Sequence, residues 1–349
     1  MYGNFQFDIP DLLRPGAHSE HFNKLVRETK EKAGAEKKLV PVEESPVEDQ
    51  TGGDGKTVTT YTVTQDKYIN LNEHPYFWHS WNLDPAIIII LPVTFLYLRG
   101  AAKIKEIRGV KVGYHNIAFF FIGVLTAVIA LCSPVDFLAD ASFSMHMLQH
   151  MVLIFLSAPL ICMSFPMTFI LKGSGKHLKR YLIGPLYSSG WFKRSMTFLF
   201  NPITSSLIFN VFFWFWHIPK FYDLALVDET YHELEHVMFF YGAMIFWWPI
   251  LDSSTKYRIH WLVGILSITV NMMLSGVLSA IIVFSDNVLY SFDPAFRVFD
   301  MPAETDQLVG ALFMWVPGSL LFFIFLAYLF LKNMNREVKK DYELSHEVA

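Results

Sequence analysis

Two histidine pairs carry most of the chemistry that this sequence could perform. Ser144-Met145-His146-Met147-Leu148-Gln149-His150-Met151 and His232-Glu233-Leu234-Glu235-His236 both contain H-x-x-x-H. On an α-helix, positions i and i+4 lie about 40° apart around the axis and one turn apart along it, so each pair presents two imidazoles from one face. Such a face is a bidentate grip for a metal ion. Imidazole suits Zn, Cu, Fe and Ni, thioethers favour Cu(I), and Met145, Met147 and Met151 interleave with the first pair. Copper is therefore the first expectation and zinc the second, since Met also serves apolar spans as filler. His217, in Trp216-His217-Ile218-Pro219, is either a further ligand or an interfacial cap before a proline turn.

Three other readings fit one or both pairs. A His-x-x-x-His in a helical bundle can be hydrogen-bonded helix glue. His232-Glu233-Leu234-Glu235-His236 also matches H-E-x-x-H, in which two histidines bind zinc and the Glu, here Glu233, acts as the general base of a metalloprotease. His150 and His236 could instead ligate one haem iron from two helices, although two histidines one turn apart on the same helix cannot serve opposite faces of a macrocycle.

The elements that must position these residues are membrane helices. Apolar residues make up 53% of the chain and aromatic ones 16%, with 33 Phe, more than a water-soluble chain of 349 residues requires. A crossing takes about 20 apolar helical residues, and seven candidate runs occur. They extend from Trp81 to Leu98, Asn116 to Cys132, His146 to Leu171, Ile203 to His217, His232 to Leu251, Trp261 to Phe284 and Gln307 to Leu331. The fold class expected is an all-α, polytopic membrane bundle. A net charge of −4 without a basic stripe argues against nucleic acid as a partner. Cys132 and Cys162 lack C-x-x-C spacing, so neither a disulfide framework nor a thiolate cluster is indicated.

Residues 1–75 are polar, without an apolar stretch that could act as a signal peptide, and read as a largely disordered tail. Within it Glu20–Val40 could form a charged helix and Val58–Val63 alternates like a short strand. The transmembrane domain is expected over 76–335 and a short cytoplasmic tail over 336–349. Lys and Arg crowd the loops after the first, third, fifth and seventh runs, for example Arg99, Lys103, Lys105, Lys176, Lys179 and Arg180. The alternate loops are acidic, with Asp136, Asp140, Asp223, Asp228, Glu229 and Asp286. The positive-inside rule then gives an N-out, C-in topology. Of the tail's basic residues, only Lys67 lies within about 15 residues of the first span, where that rule has force. In this topology all five histidines, together with Asp306 and Gln307, reach the outer face.

An ordered set of motifs resembles the bacterial CtaG-type cytochrome c oxidase assembly proteins over about residues 76–331. It comprises Trp81-Asn82-Leu83-Asp84-Pro85, Tyr97-Leu98-Arg99-Gly100, Ser133-Pro134-Val135-Asp136, His146-Met147-Leu148-Gln149-His150 and Ala158-Pro159-Leu160. Further on come Trp216-His217-Ile218-Pro219 with Tyr222-Asp223, His232 to His236, Trp247-Trp248-Pro249, and Asp306-Gln307 with Gly310. The resemblance implies a seven-span, non-enzymatic protein of the bacterial cytoplasmic membrane, required for active haem-copper oxidase through formation of its copper centre. The family pattern at the fifth span is H-x-x-E-H, which implies that Glu235 is the characteristic acid and Glu233 incidental. Expected partners are the oxidase catalytic subunit, a copper chaperone and the lipid bilayer. On this reading His146, His150, His232 and His236 are ligands, His217 is a fifth or exchange ligand, and Met145, Met147 and Met151 are soft transfer ligands. Glu235 and Asp306 orient imidazoles. The alternative function is a copper or small-solute transporter, for which Ser267, Thr269, Asn271, Ser275 and Ser279 would have to supply a polar path.

Overall fold

The apolar runs fold as helices, and no strand occurs among the described residues. A computed structural model of the chain describes residues 81, 84–104, 113–140, 142–251, 256–290 and 301–347. The tail over 1–75, with its expected helix and strand, lies outside them. In chain order the helices are α1 (Ala86–Ile104), α2 (Tyr114–Cys132), α3 (Pro134–Ala139), α4 (Phe143–Met163) and α5 (Pro166–Gly173). After a winding helical stretch come α6 (Gly190–Leu199), α7 (Pro202–Trp216), α8 (Pro219–Val227), α9 (Glu229–Leu251), α10 (Trp261–Val283) and α11 (Ala303–Glu347).

Six of these, α1, α2, α4, α9, α10 and α11, are long and apolar enough to cross a membrane, and the bent pair α6 and α7 makes a seventh if taken as one span. Their outward faces carry Ile88, Leu91 and Phe95 on α1 and Leu266, Met273 and Ile281 on α10, all exposed. Rows of large apolar side chains on the outside of a bundle are solvated by lipid. The helix at the centre is α4, 72% buried against 17% for α1. It packs on α2, α9 and α11, so the first histidine pair sits on the most enclosed element.

Two expected runs are divided differently in the structure. The run from His146 to Leu171 stops at Met163. Phe165 takes a left-handed backbone with φ 55°, and Pro166 opens α5. A proline disfavours the α conformation in the residue before it, which is why the helix cannot continue through Phe165. The run from Ile203 to His217 is α7, whose 15 residues reach about 22 Å, short of a hydrocarbon core of about 30 Å. Its continuation, α6, turns away by 70°. Pro202 cannot donate into a preceding helix, and the Asn201 side chain caps the new one by accepting the Ile203 N–H at 3.0 Å.

Inside α4 the ladder widens to a π turn over Leu153–Ser157. Pro159 has no N–H, so the Ile154 carbonyl lacks its i+5 donor. Trp247 on α9 supplies one, its Nε1–H donating to that carbonyl at 3.0 Å. The two histidine-bearing helices are thus tied together below the histidines.

At the far end of the bundle α1 and α5 meet backbone to backbone. A Cβ built on Gly100 would stand 1.9 Å from the Phe169 carbonyl oxygen, and one on Gly173 would stand 1.8 Å from that of Leu96. Gly100→Val is therefore expected to lower the thermal unfolding midpoint of the detergent-purified protein, at a cost of about 2 kcal/mol or more. Gly190→Ala, where nothing lies within 4 Å of the added carbon, should leave the midpoint unchanged.

Candidate metal centre

The N-terminus of α4 is held before its histidines are placed. Ser142 caps the helix by accepting the Met145 N–H at 3.4 Å. The Asp306 carboxylate, from the first turn of α11, accepts the Phe143 N–H at 2.7 Å, the Ser144 N–H at 3.1 Å and the Ser142 hydroxyl at 2.8 Å. Helix N-termini carry unpaired N–H groups and partial positive charge, and a carboxylate satisfies both. Where the sequence suggests that Asp306 orients an imidazole, the structure uses it to anchor the helix that carries two of them. One turn further in, the Gln149 amide donates to Asp136 Oδ1 at 2.6 Å and to the Ala130 carbonyl at 2.9 Å. That bond docks α3 on α4 and gives Asp136 a structural partner.

The second pair approaches from α9. Ring centroids are 4.3 Å apart for His146 and His150 and 4.4 Å for His232 and His236. Across the helices they are 5.3 Å apart both for His146 with His232 and for His150 with His236. The four imidazoles form a compact quadrilateral at one end of the bundle. Glu235 enters it directly, its Oε2 lying 3.5 Å from His146 Nε2 and its Oε1 3.9 Å from His150 Nε2. Two ligands of a tetrahedral ion bound at 2.0–2.1 Å lie about 3.4 Å apart. Donor atoms of His146, His150 and Glu235 all lie within 4.8 Å of one another, and all three residues are buried. Glu235 therefore stands among the donors, closer in than an acid that only orients the rings. Glu233 is half-buried and lines a cavity against α1 that His236 also borders.

Among the described residues, His146 Nε2, both ring nitrogens of His150, the Nε2 atoms of His217, His232 and His236, and Glu235 Oε2 are buried with no hydrogen-bond partner. A buried polar atom left unpaired costs about 1–3 kcal/mol, and native proteins rarely tolerate more than a few. Each neutral imidazole offers one lone-pair nitrogen, and so many unpaired lone pairs at one point fit a bound cation. Helix glue would pair these atoms with one another, which they do not do.

His217 ends α7 and is fixed by a different bond. Its Nδ1 lies 2.6 Å from the Phe213 carbonyl, which can only accept, so Nδ1 carries the proton and Nε2 presents a lone pair. Its own carbonyl accepts the Tyr290 hydroxyl at 3.0 Å. Phe239 contacts both His217 and His150, with centroids 6.0 and 4.5 Å away. Sequence reasoning missed two neighbours. Asp140 Oδ1 lies 3.6 Å from His232 Nδ1, and the Tyr222 ring packs 5.0 Å from His146.

The methionines are placed elsewhere. Phe143, Met147 and Met151 recur at i, i+4 and i+8 and form the seam against α11, where Phe143 abuts Gly310 and the Met151 side chain abuts Gly318. Met147 and Met151 belong to the apolar core, and Met145 is half-buried. The converging donors are imidazole and carboxylate, a set that suits copper, zinc or iron.

Residues 95–336 match the family model described as cytochrome c oxidase caa3 assembly factor (Caa3_CtaG). Comparison with curated proteins and with solved structures returned no match.

Proposed function

The chain belongs to the cytochrome c oxidase caa3 assembly factor family, and from that membership we propose that it serves oxidase assembly by holding copper at the histidine end of its bundle and handing it on. The observation that carries this reading is the convergence of His146, His150 and Glu235 on one buried point, with imidazole nitrogens that lack any other partner. His232 and His236 complete the grip from α9. His217, already in the tautomer that leaves Nε2 bare, serves as the exchange ligand. A site that must release its cargo cannot be a closed four-ligand cage, and a fifth imidazole outside the four gives the ion a further ligand to move to. The protein acts without catalysis, receives copper from a chaperone and delivers it to the oxidase catalytic subunit. On this reading the histidine end lies at the outer face of the bacterial cytoplasmic membrane, with the N-terminus outside and the C-terminus inside, and the distribution of Lys and Arg among the loops supports that orientation.

Neither rival reading draws support from the geometry. In the metalloprotease motif Glu233 would face the histidines, whereas here Glu235 lies against His146 and His150. The polar groups a transporter would need along its path are engaged in helix contacts. Asn271 bonds Asn210, Ser206 and the Ser267 carbonyl, and Ser279 donates to the Ser275 carbonyl.

Metal content of detergent-purified protein, reconstituted with copper or zinc, tests the proposal. Wild type is expected to retain copper, and the His150→Ala, His236→Ala double variant to lose it. Wild type that holds neither metal would overturn the metal site. In cells lacking the protein, unchanged copper content with an inactive oxidase is the outcome expected of an assembly factor. Lost copper uptake would mean transport instead.

A further inference from the structure

A cavity of about 390 Å³ lies between α1, α2, α5 and α9 on the flank of the histidine cluster. It exists because α1 packs on α5 through Gly100 and Gly173 at the far end and on α2 through Tyr97, stacked on Phe120 at 3.7 Å, and stands clear of α9. The two ends of the cavity differ in chemistry. Asp84, Glu233 and His236 stand at the histidine end, and the rest is aliphatic and aromatic, running past Val93 and Met244 to Trp248. From Glu233 to Trp248 is 15 residues of α9, a rise of about 22 Å, deeper than half of a hydrocarbon core of about 30 Å. His236 is among the residues that line the cavity, and its Nε2 is buried without a hydrogen-bond partner.

We propose that this cavity binds one acyl chain of a membrane amphiphile whose head bears a primary amine, as in phosphatidylethanolamine, drawn from the leaflet on the histidine side. The tail fits by length and lining, and a volume of this size lies within the range of small-molecule sites. The head is selected by charge. Two carboxylates at the mouth attract an ammonium and repel an anionic head such as phosphatidylglycerol. Partial burial holds the Asp84 carboxyl above its ordinary range, and an ammonium beside it would offset that desolvation. The Asp84 Oδ1 atom already accepts the Ala86 N–H at 2.6 Å, which holds the carboxylate at the first turn of α1. A bound chain also walls His236 off from the bilayer, so the site stands independently of which metal the cluster holds.

The test uses full-length protein in nanodiscs with phosphatidylethanolamine or phosphatidylglycerol, each carrying a photoactivatable diazirine on one acyl chain. The amine lipid is expected to label peptides of α1 and α9 about fivefold more than the anionic one. Met244→Trp, which fills the cavity, should remove that labelling and leave copper content unchanged. Asp84→Asn with Glu233→Gln should retain the labelling and abolish the preference, a readout that does not depend on the filled variant folding. Equal labelling of wild type by both lipids would overturn the choice of head. Labelling insensitive to Met244→Trp, or a cavity free of lipid that crosslinks at position 93 to an oxidase subunit, would overturn the lipid site. The last outcome would assign the cavity to a protein segment.

Discussion

Metal-free Glu235→Gln protein is expected to unfold at a higher temperature than metal-free wild type, and yet to gain less from copper. Glu235 is only 1% exposed, and its carboxylate faces two imidazoles that do not hydrogen-bond to it. An ionisable acid at membrane depth costs about 2.5–3.5 kcal/mol on insertion scales. Without a cation, that cost has nothing to offset it, and a neutral isostere removes most of it. With copper present the gap narrows. Wild type gains about 2.7 kcal/mol when free metal is a hundredfold above the dissociation constant. The variant, having lost a charged donor, should bind at least about tenfold more weakly. Thermal unfolding with and without copper measures both effects. A variant that melts below wild type without metal and is stabilised by copper as much as wild type would show that Glu235 is a structural acid and not a ligand.

How much of this centre was legible in the sequence depends on whether a feature is local to one helix. The two grips were, because i and i+4 share a face wherever the helix is put. The apolar runs were as well, apart from their breaks at Phe165 and Asn201, where a following proline was the available signal. The methionines could have been read better. Met147 and Met151 are themselves i and i+4, so they form their own stripe about 100° from the histidines and had to face a different neighbour. Whether Glu233 or Glu235 faces inward depends on the rotation of α9, and that is set by contacts such as the Trp247 bond to the Ile154 carbonyl. No spacing rule contains it. The pairing of Asp140 with His232 and of Asp306 with the start of α4 joins residues far apart in the chain. Here helix packing decides, and sequence pattern supplies only the residue types.

Asp306→Ala should therefore reduce both stability and copper affinity, for a reason distinct from that at Glu235. The substitution removes the acceptor of three hydrogen bonds and leaves the Phe143 and Ser144 N–H groups inside the bundle. Two unpaired buried donors at about 1–3 kcal/mol each predict a loss of about 3 kcal/mol or more. The favourable charge at the helix N-terminus goes with them. His146 begins one turn beyond this anchor, and its N–H bonds the Ser142 carbonyl at 3.0 Å, so a frayed first turn displaces an imidazole directly. Copper affinity should fall about tenfold, in line with losses of groups that only position ligands. Asp306→Asn retains one carbonyl oxygen but turns an amide donor toward donors, and should fall between alanine and wild type. Asp286→Asn, at an exposed position, should change neither property. The two acids then separate by sign. Both substitutions weaken copper binding, but the metal-free protein is stabilised by losing Glu235 and destabilised by losing Asp306. A ligand and an anchor cannot give the same pair of results.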